Sequence, residues 1–358
     1  MDRFIDHAKD KQVARWLFFG VGMLIIQILL GGITRLSGSG LSITQWEVIT
    51  GSLPPLSQEG WLMEFEKYKN TPQFRLLNTD FTLSDFQFIY FWEWLHRLWA
   101  RLMGLVFAVG FIFFLAKNYF RKEMIRPLVI LFILGALQGA VGWIMVASGL
   151  VGDAVYVKPT RLALHFILAM ALICYTFWFA LSLSVRKDQL INHQKLFRLT
   201  IIITGILFVQ LIFGALMAGH KAATIAATWP LIQNQWLPAG WLKESPLLIN
   251  FIENKLTIHF VHRNIAFVLL IMIIWWFVQA GKHRSSTLLH ATRFLPLWLI
   301  LLQAFLGILS VITSLKIIPN KWGIFEWMAQ LHQLGGLCLL LCMIFMLFIT
   351  KPSPKKPI

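Results

Sequence analysis

Apolar residues recur along the chain in long runs separated by shorter polar stretches. Eight of these runs are about twenty residues long, the length that an α-helix needs to cross the hydrocarbon core of a bilayer. The pattern therefore predicts an all-α integral membrane protein with eight transmembrane helices. The predicted helices cover residues 13–33, 95–116, 127–148, 161–184, 197–219, 259–280, 293–314 and 329–350.

Composition and charge agree with this fold class. A hydrophobic content of 58% and a mean hydropathy of +0.69 exclude a soluble globular protein. The net charge of +16 does not indicate nucleic-acid binding, because the basic residues are spread over short segments between apolar runs and form no basic domain. Membrane lipid is the expected surrounding, and nucleic acid is not an expected partner.

The distribution of basic residues predicts the orientation in the membrane. The two termini and the segments near 117–126, 186–198 and 282–293 hold 18 Lys and Arg residues, whereas the other four loops hold 11 over about twice the length. The positive-inside rule then predicts that both termini are cytoplasmic. The long segments 34–92 and 220–258 are predicted to cap the outer face.

A repeated pattern links the eight helices. Each odd-numbered helix carries Gln-x-x-x-Gly, and each even-numbered helix carries a histidine near its outer end. Corresponding histidines lie 166 and 167 residues apart, which predicts two pseudo-symmetric four-helix bundles, 1–190 and 191–358, related by an axis along the membrane normal. The glutamine–glycine pairs are Gln27–Gly31, Gln138–Gly142, Gln210–Gly214 and Gln303–Gly307, and the histidines are His96, His165, His262 and His332.

Four histidines at repeat-related positions favour metal ligation over isolated interfacial hydrogen bonds. Pairs of imidazoles on facing helices are a usual means of holding haem iron from both sides. A zinc site would need three or four converging ligands, whereas each bundle supplies two. The small residues near the histidines fit two interpretations, room for a flat macrocycle or close helix packing. They are Ala163, Ala169, Gly335, Gly336 and the repeated glycines.

Charged residues cluster around the first of these histidines. On a helix, Glu93, His96, Arg97 and Arg101 share one face, and charge at membrane depth usually serves a ligand or a partner. Haem propionates need cations, and bidentate guanidinium groups suit a carboxylate. An alternative for Arg97 is an ion pair with Glu93, four residues earlier. The candidate propionate contacts are Arg35, Arg97, Arg101, Arg161 and Arg263.

The two halves differ three residues before the first histidine of each. Glu93 precedes His96, whereas His259 precedes His262. A carboxylate at one haem site and not at the other suggests that the first site performs chemistry while the second supplies electrons. On this interpretation Glu93 is the candidate catalytic residue, a water-orienting group or proton acceptor.

Several long motifs resemble the haem A synthase family, in the branch shared by mitochondria and many bacteria. They are FIYFWEWLHRLWARLMG, GGITRLSGSGLSITQW, GSLPPL, GWIMVASGL, RLALH and ATWPL, spread over most of the chain. The outer-loop cysteine pair of the family's other branch is missing, and Cys174, Cys338 and Cys342 lie in apolar runs. No thiol-based role is therefore expected.

This resemblance implies conversion of haem O to haem A by oxidation of a ring methyl group to a formyl group. It implies that the four histidines are axial ligands of haem iron and that Glu93 is the family's essential glutamate. It further implies that the substrate haem binds in the amino-terminal half and a haem b in the carboxy-terminal half. Haem O is thus the expected substrate, haem A the product and haem b the cofactor.

Two other functions fit the repeated histidines. One is a di-haem b electron-transfer protein of the cytochrome b561 kind, and the other is a haem transporter or chaperone. Expected partners of the enzyme are haem O synthase, which would hand over an apolar haem, an electron donor of unidentified nature, and a second copy of the chain.

Overall fold

A computed structural model describes residues 7–45, 53–283, 286–317 and 322–352. Within these ranges, eight helical segments are long and apolar enough to cross a membrane, which confirms the predicted fold class. The helices are α1 His7–Leu36, α2 Gln58–Lys69, α3 Pro72–Leu77, α4 Leu83–Ala116, α5 Lys122–Ala147, α6 Pro159–Ser184, α7 Gln194–His220, α8 Asn250–Glu253, α9 Lys255–Gly281, α10 Thr287–Thr292, α11 Phe294–Ile312 and α12 Ile324–Ile349. The spanning segments are α1, α4, α5, α6, α7, α9, the consecutive pair α10 and α11, and α12.

The spanning helices begin before the predicted apolar runs, and side-chain caps mark the starts of α4 and α9. Helix α4 starts at Leu83, twelve residues before the predicted 95. Thr82 and Asp85 form a capping box there, in which the Asp85 carboxylate accepts hydrogen bonds from the Thr82 N–H at 2.9 Å and from its hydroxyl at 2.6 Å. Asn254 caps α9 by accepting from two backbone N–H groups. The long connecting segments are therefore 37–82 and 221–254 rather than 34–92 and 220–258.

Packing between the spanning helices is similar in the two halves, except that α9 and α11 pack against each other in the second half. In the first half α1 packs against α4 and α6, and α5 packs against α6; in the second, α7 packs against α9 and α12, and α11 packs against α9 and α12. The halves meet where α6 packs against α7 and α12, and where α1 packs against α12. The domain division and the pseudo-twofold axis stay predictions.

The core lies at this junction. Fully buried side chains from four helices meet in one cluster, including Ile173, Ile203, Trp276 and Met343. The indole N–H of Trp276 donates to the hydroxyl of Thr200 at 2.8 Å, so the polar atom inside the core is satisfied. Because lipid is as apolar as these side chains, close van der Waals packing and such hydrogen bonds stabilise the association of the halves.

The described residues of segment 37–82, which are 37–45 and 53–82, pack over the start of α4. Its aromatic residues pack with Phe86 of α4, and Tyr68 is fully buried among them. The Tyr68 hydroxyl donates to Gln73 at 3.0 Å and accepts from Asn78 at 2.7 Å. Burial is the main cause that raises the pKa of Tyr68 to about 12, so the hydroxyl stays a neutral donor. We call the membrane side that carries 37–82 and 221–254 the loop side, and the opposite side the terminal side.

Candidate active site

A continuous cavity of about 1490 Å³ runs through both halves, and all four repeated histidines line it. A pocket for a single small ligand measures about 300–1,000 Å³, so this cavity has room for more than one large ligand. Arg161 is not among the lining residues, because its guanidinium donates to the carbonyl of Ile144 at 2.9 Å at the end of α5. The lining also includes Glu93, His259 and the candidate arginines Arg35, Arg97, Arg101 and Arg263.

Each histidine ring lies against the glycine of the preceding spanning helix. A Cβ atom added at the glycine would approach the ring carbon Cε1 to 3.3 Å or less in all four repeats, closer than ordinary contact. The glycines of Gln-x-x-x-Gly thus make room for the imidazole itself, and we call this contact between glycine and ring the glycine seat. The distances are 3.1 Å for Gly31 and His96, 2.8 Å for Gly142 and His165, 3.3 Å for Gly214 and His262, and 2.9 Å for Gly307 and His332.

The glutamines of the same motif form hydrogen bonds with the histidines or with the helical turn that carries them. The amide nitrogens of Gln27, Gln138 and Gln303 donate to the backbone carbonyl of their histidine at 3.2, 3.2 and 2.9 Å. That of Gln210 lies 3.4 Å from Nε2 of His262. The amide oxygens of all four are buried without a partner in the described part of the chain. Each motif therefore positions one imidazole and leaves an amide oxygen beside it as a hydrogen-bond acceptor. Histidines that ligate a metal usually donate their second ring N–H to such an acceptor.

The rings of His262 and His332 have the spacing of two ligands to one metal. Their centres are 6.3 Å apart and their planes are inclined at 79°. A metal held between two imidazoles, with bonds of about 2 Å and about 1.1 Å from each nitrogen to its ring centre, separates the centres by about 6 Å. The pair therefore fits bis-histidine ligation of haem iron. His96 and His165 are close enough to interact electrostatically and line the same cavity.

Glu93 is buried, with 2% of its surface exposed, and its two oxygens have different partners. Oε2 accepts from the backbone N–H and hydroxyl of Ser42 at 2.8 and 2.7 Å and from the N–H of Ile43 at 3.0 Å. Oε1 pairs with the Arg97 guanidinium at 2.5 Å, and Arg97 also donates to the carbonyl of Ile43 at 3.2 Å. The ion pair foreseen as an alternative for Arg97 is thus present, and it ties α4 to the chain just beyond α1.

The second half has a hydrogen bond between an arginine and a histidine in place of this ion pair. Nε2 of His259 accepts from Nε of Arg263 at 2.9 Å, and Nδ1 of His259 is buried without a partner among the described residues. The remaining Arg263 nitrogens donate to carbonyls of segment 221–254 at 2.6 to 3.4 Å. In both halves, therefore, an arginine one helical turn after the distinguishing residue holds the loop-side segment in place.

Comparison with known proteins identifies the family. The model of the COX15-CtaA family, described as cytochrome oxidase assembly protein, matches residues 14–344. The chain belongs to this family. Similar proteins named heme A synthase occur in Bradyrhizobium sp. (strain ORS 278), 39% identical over 95% of this chain and 91% of the relative, and in Paracoccus denitrificans (strain Pd 1222), 38% identical over 90% and 84%. A third, from Flavobacterium psychrophilum, is 37% identical over 92% and 96%. The resemblance drawn from the motifs is thereby confirmed.

Three further polar side chains of this family member line the cavity, namely Arg35, Trp322 and Glu326. Nε of Arg35 and the indole N–H of Trp322 are buried without partners among the residues described, and both side chains line the cavity. Glu326 also lines it and accepts from the N–H of Gly323 at 2.9 Å. Trp322 and Glu326 lie outside the repeated motifs, so no sequence signal marked them, and Glu326 comes near Arg35 only through contact between α1 and α12.

Proposed function

We propose that this chain is a haem A synthase that oxidises a ring methyl group of haem O to a formyl group, giving haem A for terminal oxidases. The observation that carries the proposal is the set of four seated imidazoles in one cavity, one pair of which has the spacing of bis-histidine ligation. The names of the relatives support the same reaction. Haem O is then the substrate, haem A the product and haem b the bound cofactor.

In this proposal the two halves have different tasks. His96 and His165 hold the substrate haem in residues 1–190, and His262 and His332 hold haem b in residues 191–358. Bound haem supplies iron redox chemistry, and the chain fixes the imidazoles on the glycine seats and keeps the cavity apolar. A carboxylate stands at Glu93 where the second half has the imidazole of His259, and this difference supports placing the reaction in the first half.

The candidate arginines differ in how well they suit propionate binding. Arg35 has a buried donor without a partner among the described residues, so it is the strongest candidate for a carboxylate. Arg97 and Arg263 line the cavity while donating to loop carbonyls, and Arg101 lines it within two turns of His96. Arg161 lies away from the lining and is the weakest of the five.

The haem content of the purified protein tests this function against its alternatives. A haem A synthase should contain haem b together with haem O or haem A, and it should convert added haem O when supplied with electrons. A di-haem b electron carrier should contain haem b alone. A transporter or chaperone should contain less than one exchangeable haem per chain. The difference between Glu93 and His259 favours the enzyme, because a pure carrier needs no such asymmetry.

The orientation of the chain can be tested with fusions of a reporter that is active only outside the cytoplasm. We expect no activity from a fusion after Lys356 and clear activity from one in the loop near Gly240, because the basic residues concentrate on the terminal side. Activity after Lys356 would reverse the orientation and place all four histidines near the cytoplasm. Both termini in the cytoplasm and the bacterial inner membrane are the proposed location.

The glycine seat gives a second prediction. The variant Gly307→Val should displace the His332 ring, because a Cβ at this position already meets Cε1 at 2.9 Å. We expect bound haem b to fall at least about tenfold, as in sites whose ligand orientation is lost. Haem per protein and the low-spin absorbance of the purified variant measure this. Gly205→Val on α7, where no atom lies within 4 Å of an added Cβ, is the matched control and should keep its haem.

The remaining partners follow from the chemistry. Haem O is apolar, so direct transfer from haem O synthase within the membrane is favoured over release into water. Oxidation of a methyl group to a formyl group removes electrons from the substrate. An electron-transfer partner is therefore needed to return haem b to its starting redox state after each turnover. A homo-oligomer is part of the same proposal.

A further inference from the structure

The two halves differ in how their second and third spanning helices pack. In the second half, α9 and α11 pack against each other. In the first half, α4 and α5, both described over their whole lengths, pack onto α1 and α6 and lack comparable packing with each other. They share a buried cluster on the terminal side, which includes Phe114, Met124 and Leu128. Towards the loop side of this cluster, a gap separates α4 from α5.

Small residues line this gap. Gly104 on α4 and Gly135 and Gly139 on α5 all line the cavity and are exposed. A Cβ atom added at any of the three would have no neighbouring atom within 4 Å. Ala100, which also lines the cavity, is exposed in the same way. The cavity is therefore open at membrane depth between these two helices.

The second half fills the equivalent positions with side chains. The spacing of 166 residues from His96 to His262 relates Gly104 to Leu270. The spacing of 165 residues from Gln138 to Gln303 relates Gly135 to Ile300 and Gly139 to Ala304. Ile300 is only 4% exposed. Side chains thus close the second half at the places where glycines leave the first half open.

We propose that the gap between α4 and α5 is a lateral opening that receives the isoprenoid side chain of the haem substrate. This inference rests on the proposed function, since haem O carries a long hydrocarbon substituent that haem b lacks. Such a chain loses nothing by staying in a lipid-like surrounding, so an opening towards the bilayer suits it. The half proposed to bind haem b, which has no such substituent, is the half that is closed.

The position of the gap relative to the imidazole seats supports this assignment. Gly139 directly follows Gln138 of the second motif, and Ala100 lies one helical turn after His96. The opening therefore begins beside the site proposed for the substrate macrocycle. Towards the terminal side it is bounded by Trp16 stacked on Phe107, with ring centres 5.3 Å apart. A hydrocarbon chain leaving the macrocycle would thus pass between α4 and α5 rather than towards the terminal side.

The chain's own second half supplies the test variant. Gly104→Leu combined with Gly135→Ile introduces the residues found at the equivalent positions, and no atom lies within 4 Å of an added Cβ at either glycine. Gly205→Leu on α7, exposed and outside the cavity lining, is the matched control. Purified protein that already holds haem b in its second half is titrated with haem O and, separately, with additional haem b (protohaem), which has no isoprenoid chain. Binding is followed by absorbance.

We expect the double variant to bind haem O at least about tenfold more weakly than the wild type, because several methylene groups lose their place. Protohaem affinity should change by less than about threefold, and the control should match the wild type for both haems. Unchanged haem O affinity in the double variant would overturn the lateral opening, as would an equal loss for both haems. A wild-type protein that neither binds nor converts haem O would instead refute the proposed function before any variant is compared.

Discussion

The variants His262→Leu and His332→Leu will purify with at most about a tenth of the wild-type low-spin haem b, and any haem that remains will be high-spin. The reason is the geometry of the pair. With ring centres 6.3 Å apart, the two imidazoles suit the two faces of one haem, and removing either leaves iron with a single protein ligand. Leucine also places an apolar side chain that cannot ligate iron beside the repeated glycine. Haem-to-protein ratio and visible absorbance at 25 °C measure the loss.

His220→Leu is the control for these variants. His220 lies at the end of α7, where its ring nitrogen contacts the carbonyl of Ile252 at 2.7 Å, and it is not among the cavity-lining residues. It should keep the full haem content. An unchanged low-spin spectrum in both His262→Leu and His332→Leu would contradict haem ligation by this pair and would return these residues to ordinary interfacial histidines.

The sequence predicted the spanning helices well because membrane crossing depends on one physical quantity, the length of an apolar run. It predicted the starts of these helices less well, since the starts depend on local caps. Thr82 with Asp85 starts α4 twelve residues before the predicted run, ahead of an aromatic-rich stretch, LSDFQFIYFWEW, whose hydropathy is lowered by its polar residues. The helices α2 and α3 lie in a segment predicted only as a packed cap, and their caps, Ser57 and Thr71, are similarly local.

The sequence likewise predicted some features of the candidate site and not others. The repeat placed four histidines at equivalent positions, and the structure brings all of them to one cavity. The sequence could not show that the repeated glycines accommodate the imidazoles, because that contact joins two helices whose separation depends on packing. The partners of Glu93 were equally hidden, since Ser42 and Ile43 lie about fifty residues away in a connecting segment without a regular pattern.

The variant Glu93→Gln is expected to accumulate haem O, or a partly oxidised product, and to lower haem A formation by about 100-fold or more if the carboxylate acts in proton transfer. The structure shows why this substitution alone is ambiguous. A glutamine has one acceptor oxygen for partners that now occupy two. If that oxygen takes the donors of Ser42 and Ile43, the new NH2 group faces the Arg97 guanidinium; the reverse orientation leaves the Ser42 and Ile43 donors unpaired. Breaking such a buried ion pair costs about 3–5 kcal/mol.

A second variant separates catalysis from this structural cost. Glu93→Gln combined with Arg97→Met removes the cation that glutamine would leave without its counter-charge, and the amide oxygen can still accept from Ser42 and Ile43. Arg97→Met alone is the matched control, because it breaks the same ion pair at a similar structural cost but retains the carboxylate and its three other hydrogen bonds. If Glu93 acts on the substrate, the double variant will fold, retain haem b and bind haem O without forming haem A, while the control forms haem A. Haem A output from the double variant equal to that of the control would show that Glu93 serves only to hold the segment beyond α1 against α4. In that case the carboxylate would be a positioning residue, and the proton acceptor would have to be sought elsewhere along the cavity.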